Sequence, residues 1–184
     1  MGRGKSSNPP ALPILPSGME PWKAMAFLSC PIASRFIETS EDARAYYALR
    51  LVGEHSLLVH GVEPLVVVFN PEETHVFTDK RTPCPPPDVV RRVGCSGELR
   101  CFERTRARLM DRILPTIAAP VAAFGALISR GVQLYGPPEV GARRVCVVVA
   151  PNRGKWFVRT AYPVAQDNFL RARREGVVVP WPPK

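Results

Sequence analysis

Two stretches near the C-terminus carry the two-residue alternation and β-branched density of strands. Arg144 to Ala150 (RVCVVVA) and Lys155 to Tyr162 (KWFVRTAY) flank Pro151-Asn152-Arg153-Gly154, which predicts a hairpin with that tetrapeptide as its turn. On the return strand, Trp156, Val158, Thr160 and Tyr162 are expected to share one face, and Phe157, Arg159 and Ala161 the other. Earlier, Leu65 to Phe69 (LVVVF) lies between Pro64 and Asn70-Pro71 and predicts a short buried strand, with a second at Thr74 to Thr78 (THVFT).

Helical spacing appears twice. Ser40 to about Glu54 starts with a capping serine and two acidic residues in its first turn, Glu41 and Asp42. His55 and His60 flank a Leu-Leu-Val run at its end and read as structural. Glu103 to Leu114 places Leu109, Met110, Ile113 and Leu114 on one stripe and Arg104, Arg108 and Arg112 on another. Pro115 is expected to kink or end that helix, and Pro120 to close the segment. Residues 82–97, with Pro83, Pro85 to Pro87, Gly94 and Gly97, predict a long loop. The order of elements predicts an α+β fold: a small antiparallel sheet packed against N-terminal and central helices.

Composition refines this picture. A chain of 184 residues is long enough for one sizeable core. Five of the 21 prolines fall within residues 1–22, which read as a flexible Pro-rich leader, leaving 23–184 as a single α+β domain. The longest uncharged run, Ile113 to Ser129, is broken by Pro115, Pro120 and Gly125, so it predicts a buried segment and no membrane span. Five cysteines without repeated spacing favour reduced thiols and a cytoplasmic protein. Cys84, Cys95 and Cys101 follow His75 without a Cys-x-x-Cys pair, so neither a metal nor a cofactor is expected.

Charge points to a partner. The formal net charge is +9, but residues 24–78 carry three basic and seven acidic side chains, whereas 141–175 carry eight basic and two acidic. Such asymmetry suggests an electrostatic face for RNA or another polyanion. No nucleophile elbow, dinucleotide fingerprint or paired carboxylates are present. What remains is a scarce histidine, His75, beside Lys80 and Arg81, followed by a basic helix and a polar strand with Arg159, Thr160 and Tyr162. Metal-independent RNA cleavage needs such a set: an acid or base, cations for the phosphorane charge, and a hydroxyl on a non-bridging oxygen.

In this order, ERTRARLMDRILPTIAAP and VCVVVAPNRGKWFVRTAYP resemble the barnase/EndoU/colicin/RelE-like nuclease domains of phage-encoded and polymorphic-toxin type. The resemblance spans about residues 65–165 and ends in Thr160-Ala161-Tyr162-Pro163, which is similar to the group's closing strand signature. It implies a ribonuclease in which His75 is acid or base, Arg104 stabilises phosphorane charge and Thr160 positions the phosphate. Lys80, Arg81, Arg143, Arg144, Arg153, Lys155, Arg159 and Tyr162 would line the RNA groove, and an inhibitor protein is a possible partner. Two other classes stay open: a non-catalytic protein binding nucleic acid or an acidic partner, and a phage or structural assembly protein docking through its leader.

Overall fold

The computed structural model describes residues 33–71, 74–79, 89–91, 99–125, 131–138 and 143–182. The expected leader, most of the 82–97 loop, Lys80 and Arg81 lie outside them. The fold is α+β, as expected, but the sheet is larger and mixed. Six strands run in the order β1-β2-β9-β8-β7-β6: Gly53–Val59, Glu63–Phe69, Lys155–Val164, Arg144–Asn152, Val132–Tyr135 and Ala122–Gly125. All neighbours are antiparallel except β2 and β9, which pair in parallel at Val67 with Trp156 and Val68 with Phe157. A second sheet orders β3 (Thr78–Asp79), β5 (Leu99–Phe102) and β4 (Val89–Arg91). β4 therefore falls within the stretch expected to be a loop.

The first helix, α1 (Ser40–Arg50), is capped one residue earlier than expected: the Thr39 hydroxyl accepts the Asp42 amide at 3.1 Å. It also stops earlier. Beyond it, His55, Leu57 and Val59 alternate with the exposed Glu54, Ser56 and Leu58, so the segment expected to end the helix is strand β1. THVFT is not a strand throughout. Thr74–Val76 form a 3-10 turn and only Thr78–Asp79 pair in a sheet.

The expected 103–114 helix is broken into α2 (Arg104–Ala107), a 3-10 turn at Met110–Arg112 and α3 (Ile113–Ala118). Ser34 accounts for the break. Its hydroxyl donates to the Arg108 carbonyl at 2.8 Å and accepts the Asp111 amide at 3.2 Å, replacing bonds that a continuous helix would make within itself. Pro115 ends nothing; it stands in the first turn of α3, where no intrahelical donor is needed.

The hairpin forms as expected, with a tighter turn. Arg153 and Gly154 both have positive φ, 49° and 75°, the backbone pattern of a two-residue turn that matches strand twist. A bulge overturns the expected face assignment. Val148 pairs with Thr160 and Val149 with Val158, so Arg159 is the extra residue and the alternation shifts beyond it. Val158 and Ala161 join the main core, whereas Tyr162 packs in the second cluster on the opposite face.

These two clusters define the layers. The inner face of the sheet packs Leu65, Val67, Leu134, Val147 and Val149 against Tyr47 of α1 and Met110, Ile113 and Ile117 of the broken helix. The outer face at β6–β8 buries Phe124, Tyr135 and Cys146 under Phe169 of α4 (Gln166–Glu175), a helix that the sequence reading did not include. The chain then returns along β6, and the Trp181 indole donates to the Ile117 carbonyl at 2.9 Å.

Candidate functional site

β2 flanks only the first part of β9. Further along, the 3-10 turn at Thr74–Val76 and α2 pack beside β9 instead. Here Thr160 and His75 meet, but through the His75 carbonyl: it accepts the Thr160 hydroxyl at 3.1 Å and an Arg106 guanidinium N–H at 3.2 Å. Arg106 also pairs with Asp79 at 3.1 Å and lies 5.7 Å from the Tyr162 ring centroid. The arrangement uses Thr160 and Arg106 as donors that fix the turn. Beside it, the buried Arg100 donates to the Thr78 hydroxyl at 2.9 Å and to the Thr78 carbonyl at 3.2 Å.

Arg104, assigned the phosphorane charge, is not part of this cluster. It is exposed and pairs with Glu38 at 3.2 Å, and Arg108 pairs with the same carboxylate. The cluster's arginine is Arg106, two residues along the same one-turn helix. Sequence reasoning missed it because the alternation in Arg104-Thr105-Arg106-Ala107 does not reveal which arginine faces β9.

The proposed groove residues divide into two groups. Arg144 is structural: it donates to the Gly136 carbonyl at 3.1 Å and to Gln166 at 3.3 Å, and stacks 4.3 Å from the Phe169 ring centroid. Tyr162 is half-buried against the second cluster. Arg143, Arg153 and Arg159 are exposed and make no ion pair among the described residues. Lys155 pairs with Glu54 across the sheet, both side chains largely in water. Lys155, Phe157 and Arg159 project from the outer face of β9, which no described helix covers at this end; Leu58 on β1, two strands away, is 58% exposed.

Cys146, Tyr135 and Tyr162 cluster beneath α4, where the Tyr135 hydroxyl donates to the Gln133 side-chain oxygen at 2.9 Å. Burial pushes the Cys146 thiol up to about 11 despite hydrogen bonds with Tyr162 and Tyr135, which act to lower it. Burial, followed by the neighbouring Cys146, raises both tyrosines as well. The thiol is therefore protonated near neutrality and a poor nucleophile.

Cys101, also buried, is disulfide-bonded, so the expectation of reduced thiols fails there. No cluster of three or more His, Cys, Asp or Glu side chains suited to a metal occurs among the described residues. No helix among them is long and apolar enough to cross a membrane. The chain matches no family model, no curated protein and no solved structure.

Proposed function

We propose that this protein binds RNA through the outer face of the β8–β9 hairpin without cutting it. One observation carries this reading: Lys155, Phe157 and Arg159 project at two-residue spacing from a sheet face that no described helix covers, with Arg153 at the turn beyond them. Cations spaced along a strand meet successive phosphates, and an aromatic between them offers a base a stacking surface. The exposed Lys155–Glu54 pair is no obstacle, because such pairs are worth little in water and yield to a phosphate.

Binding is favoured over cleavage by how the expected catalytic groups are used. The Thr160 hydroxyl donates to a backbone carbonyl, and Arg104 stands apart from it, the arginine beside Thr160 and His75 being Arg106. Neither is poised to meet a phosphorane. The disulfide at Cys101 favours an oxidising compartment over the cytoplasm.

The test is a filter-binding titration of end-labelled single-stranded RNA in EDTA. Intact RNA should be retained at low salt, with affinity falling by a log–log slope of about −0.7 per phosphate contacted. Arg153→Ala combined with Arg159→Ala should weaken binding roughly tenfold. Fragments with cyclic-phosphate ends, lost in His75→Ala, would restore the nuclease reading. Failure to retain RNA at low salt would remove both.

A further inference from the structure

The last edge of the large sheet is made by the C-terminal segment, not by β6. Residues 177–179 run antiparallel to β6: the Gly125 amide donates to the Val177 carbonyl at 2.9 Å and the Val179 amide to the Ala123 carbonyl at 3.1 Å. In this register Val178 opposes Phe124 as a non-hydrogen-bonded pair, so its own N–H and C=O point away from β6 and have no backbone partner among the described residues. An unpaired sheet edge is a template for another strand. Proteins commonly blunt such edges with charge, yet Val177 and Val178 are 70% and 73% exposed.

The edge borders a groove of about 490 Å³ between β6 and α4. Among the described residues its walls include Val121, Phe124, Phe169 and Val178, and its charged lining residues are Arg144 and Arg173, with no carboxylate. Arg173 is exposed and makes no ion pair among the described residues, and Arg174 follows it on the same helix. Apolar walls, an arginine without an ion pair and a strand edge without a backbone partner, each among the described residues, together describe one kind of occupant.

We propose that Val177–Val179 docks an extended acidic segment of a partner protein as an added strand, its apolar side chains entering the groove and a carboxylate meeting Arg173. Backbone pairing would supply affinity and the groove specificity, as in other strand-addition interfaces. A second copy of this chain is disfavoured because edge-to-edge pairing would bring like arginines together. The chain's own N-terminal stretch, which carries Arg3 and Lys5, has the wrong charge.

The probes are fluorescent hexapeptides, Glu-Val-Glu-Val-Glu-Val and Lys-Val-Lys-Val-Lys-Val, titrated into the full chain, with hydrogen exchange followed at residues 177–179. The acidic peptide should bind at least about tenfold more tightly than the lysine peptide and slow exchange of the Val178 amide. Val178→Pro deletes the outward N–H while keeping both bonds to β6, and should abolish that binding. Arg173→Gln, an exposed change that leaves the fold intact, should weaken the acidic peptide about fivefold and leave RNA retention unchanged. Equal binding of both peptides, binding without protection of Val178, or full affinity in Val178→Pro would overturn the proposal.

Discussion

The outer face of the large sheet is built differently at its two ends. Over β6–β8 it is closed: Phe124, Tyr135, Cys146 and Val164 pack under Phe169, and Arg144 is held by Gly136, Gln166 and the Phe169 ring. Over β1, β2 and the start of β9 it is open among the described residues, with Glu54, Ser56, Leu58 and Arg159 exposed and Phe157 partly buried. One hairpin spans both ends. Arginines that look equivalent in its sequence therefore differ: Arg144 uses its hydrogen bonds within the fold, whereas Arg159 is exposed and makes no ion pair among the described residues. Net charge counts both alike, and only the position of α4 separates them.

The largest expected effect breaks the closed end. Phe169 is 6% exposed and packs 5.2 Å, centroid to centroid, from Tyr135. Phe169→Ala removes the only buried side chain of α4 and should cost about 3 kcal/mol, read from the urea midpoint. Phe157→Ala, on the open end, should cost less, about 1–2 kcal/mol, because that ring is only partly buried. Equal losses would mean that both ends are closed in solution.

The closed end should also respond to alkali. Cys146 loses its proton near pH 11 in the folded protein, against a reference value of 9.0. The neutral thiol is the form that the fold favours, so its contribution is fully present below about pH 9 and is lost as pH rises through about 11. Two pH units correspond to an upper scale of ~2–3 kcal/mol. Thermal unfolding should therefore show a falling Tm above pH 9, with a shallower fall between pH 9 and 11 in Cys146→Ala. The buried tyrosines extend the decline to higher pH, and an unchanged slope in the variant would assign all of it to them.

Three elements of the fold and little of the site were legible in the sequence. LVVVF and the hairpin were readable because β-branched alternation and turn residues agree there, and α1 because its first turn is acidic. β1 carried a two-residue alternation from Glu54 to Val59, but a helical start immediately before it pulled the reading the other way. In α4, Phe169 is the only buried residue, so a run of arginines and polar residues concealed an amphipathic helix. The bulge at Arg159 depends on a residue count in the partner strand, which no local pattern contains. For the same reason the site reading found Thr160 and His75 as neighbours but missed Arg106 and the carbonyl that joins them.

The smallest effects sharpen the comparison most, because they set two arginines of one hairpin against each other. Arg144→Ala removes two hydrogen bonds and a stacked cation from a half-buried site, so a loss of about 1–2 kcal/mol in stability is expected, with RNA affinity unchanged. Arg159→Ala should leave stability within about 0.5 kcal/mol, since the side chain is exposed and bonds to nothing described. It should instead lower RNA affinity about threefold at low salt and reduce the salt slope by about 0.7, the signature of one phosphate contact to a single strand. Denaturation and filter binding on the two variants give four numbers, and the pattern must cross. If Arg144→Ala weakens RNA as much as Arg159→Ala does, the closed end reaches the ligand too, and the division of labour along the hairpin is wrong.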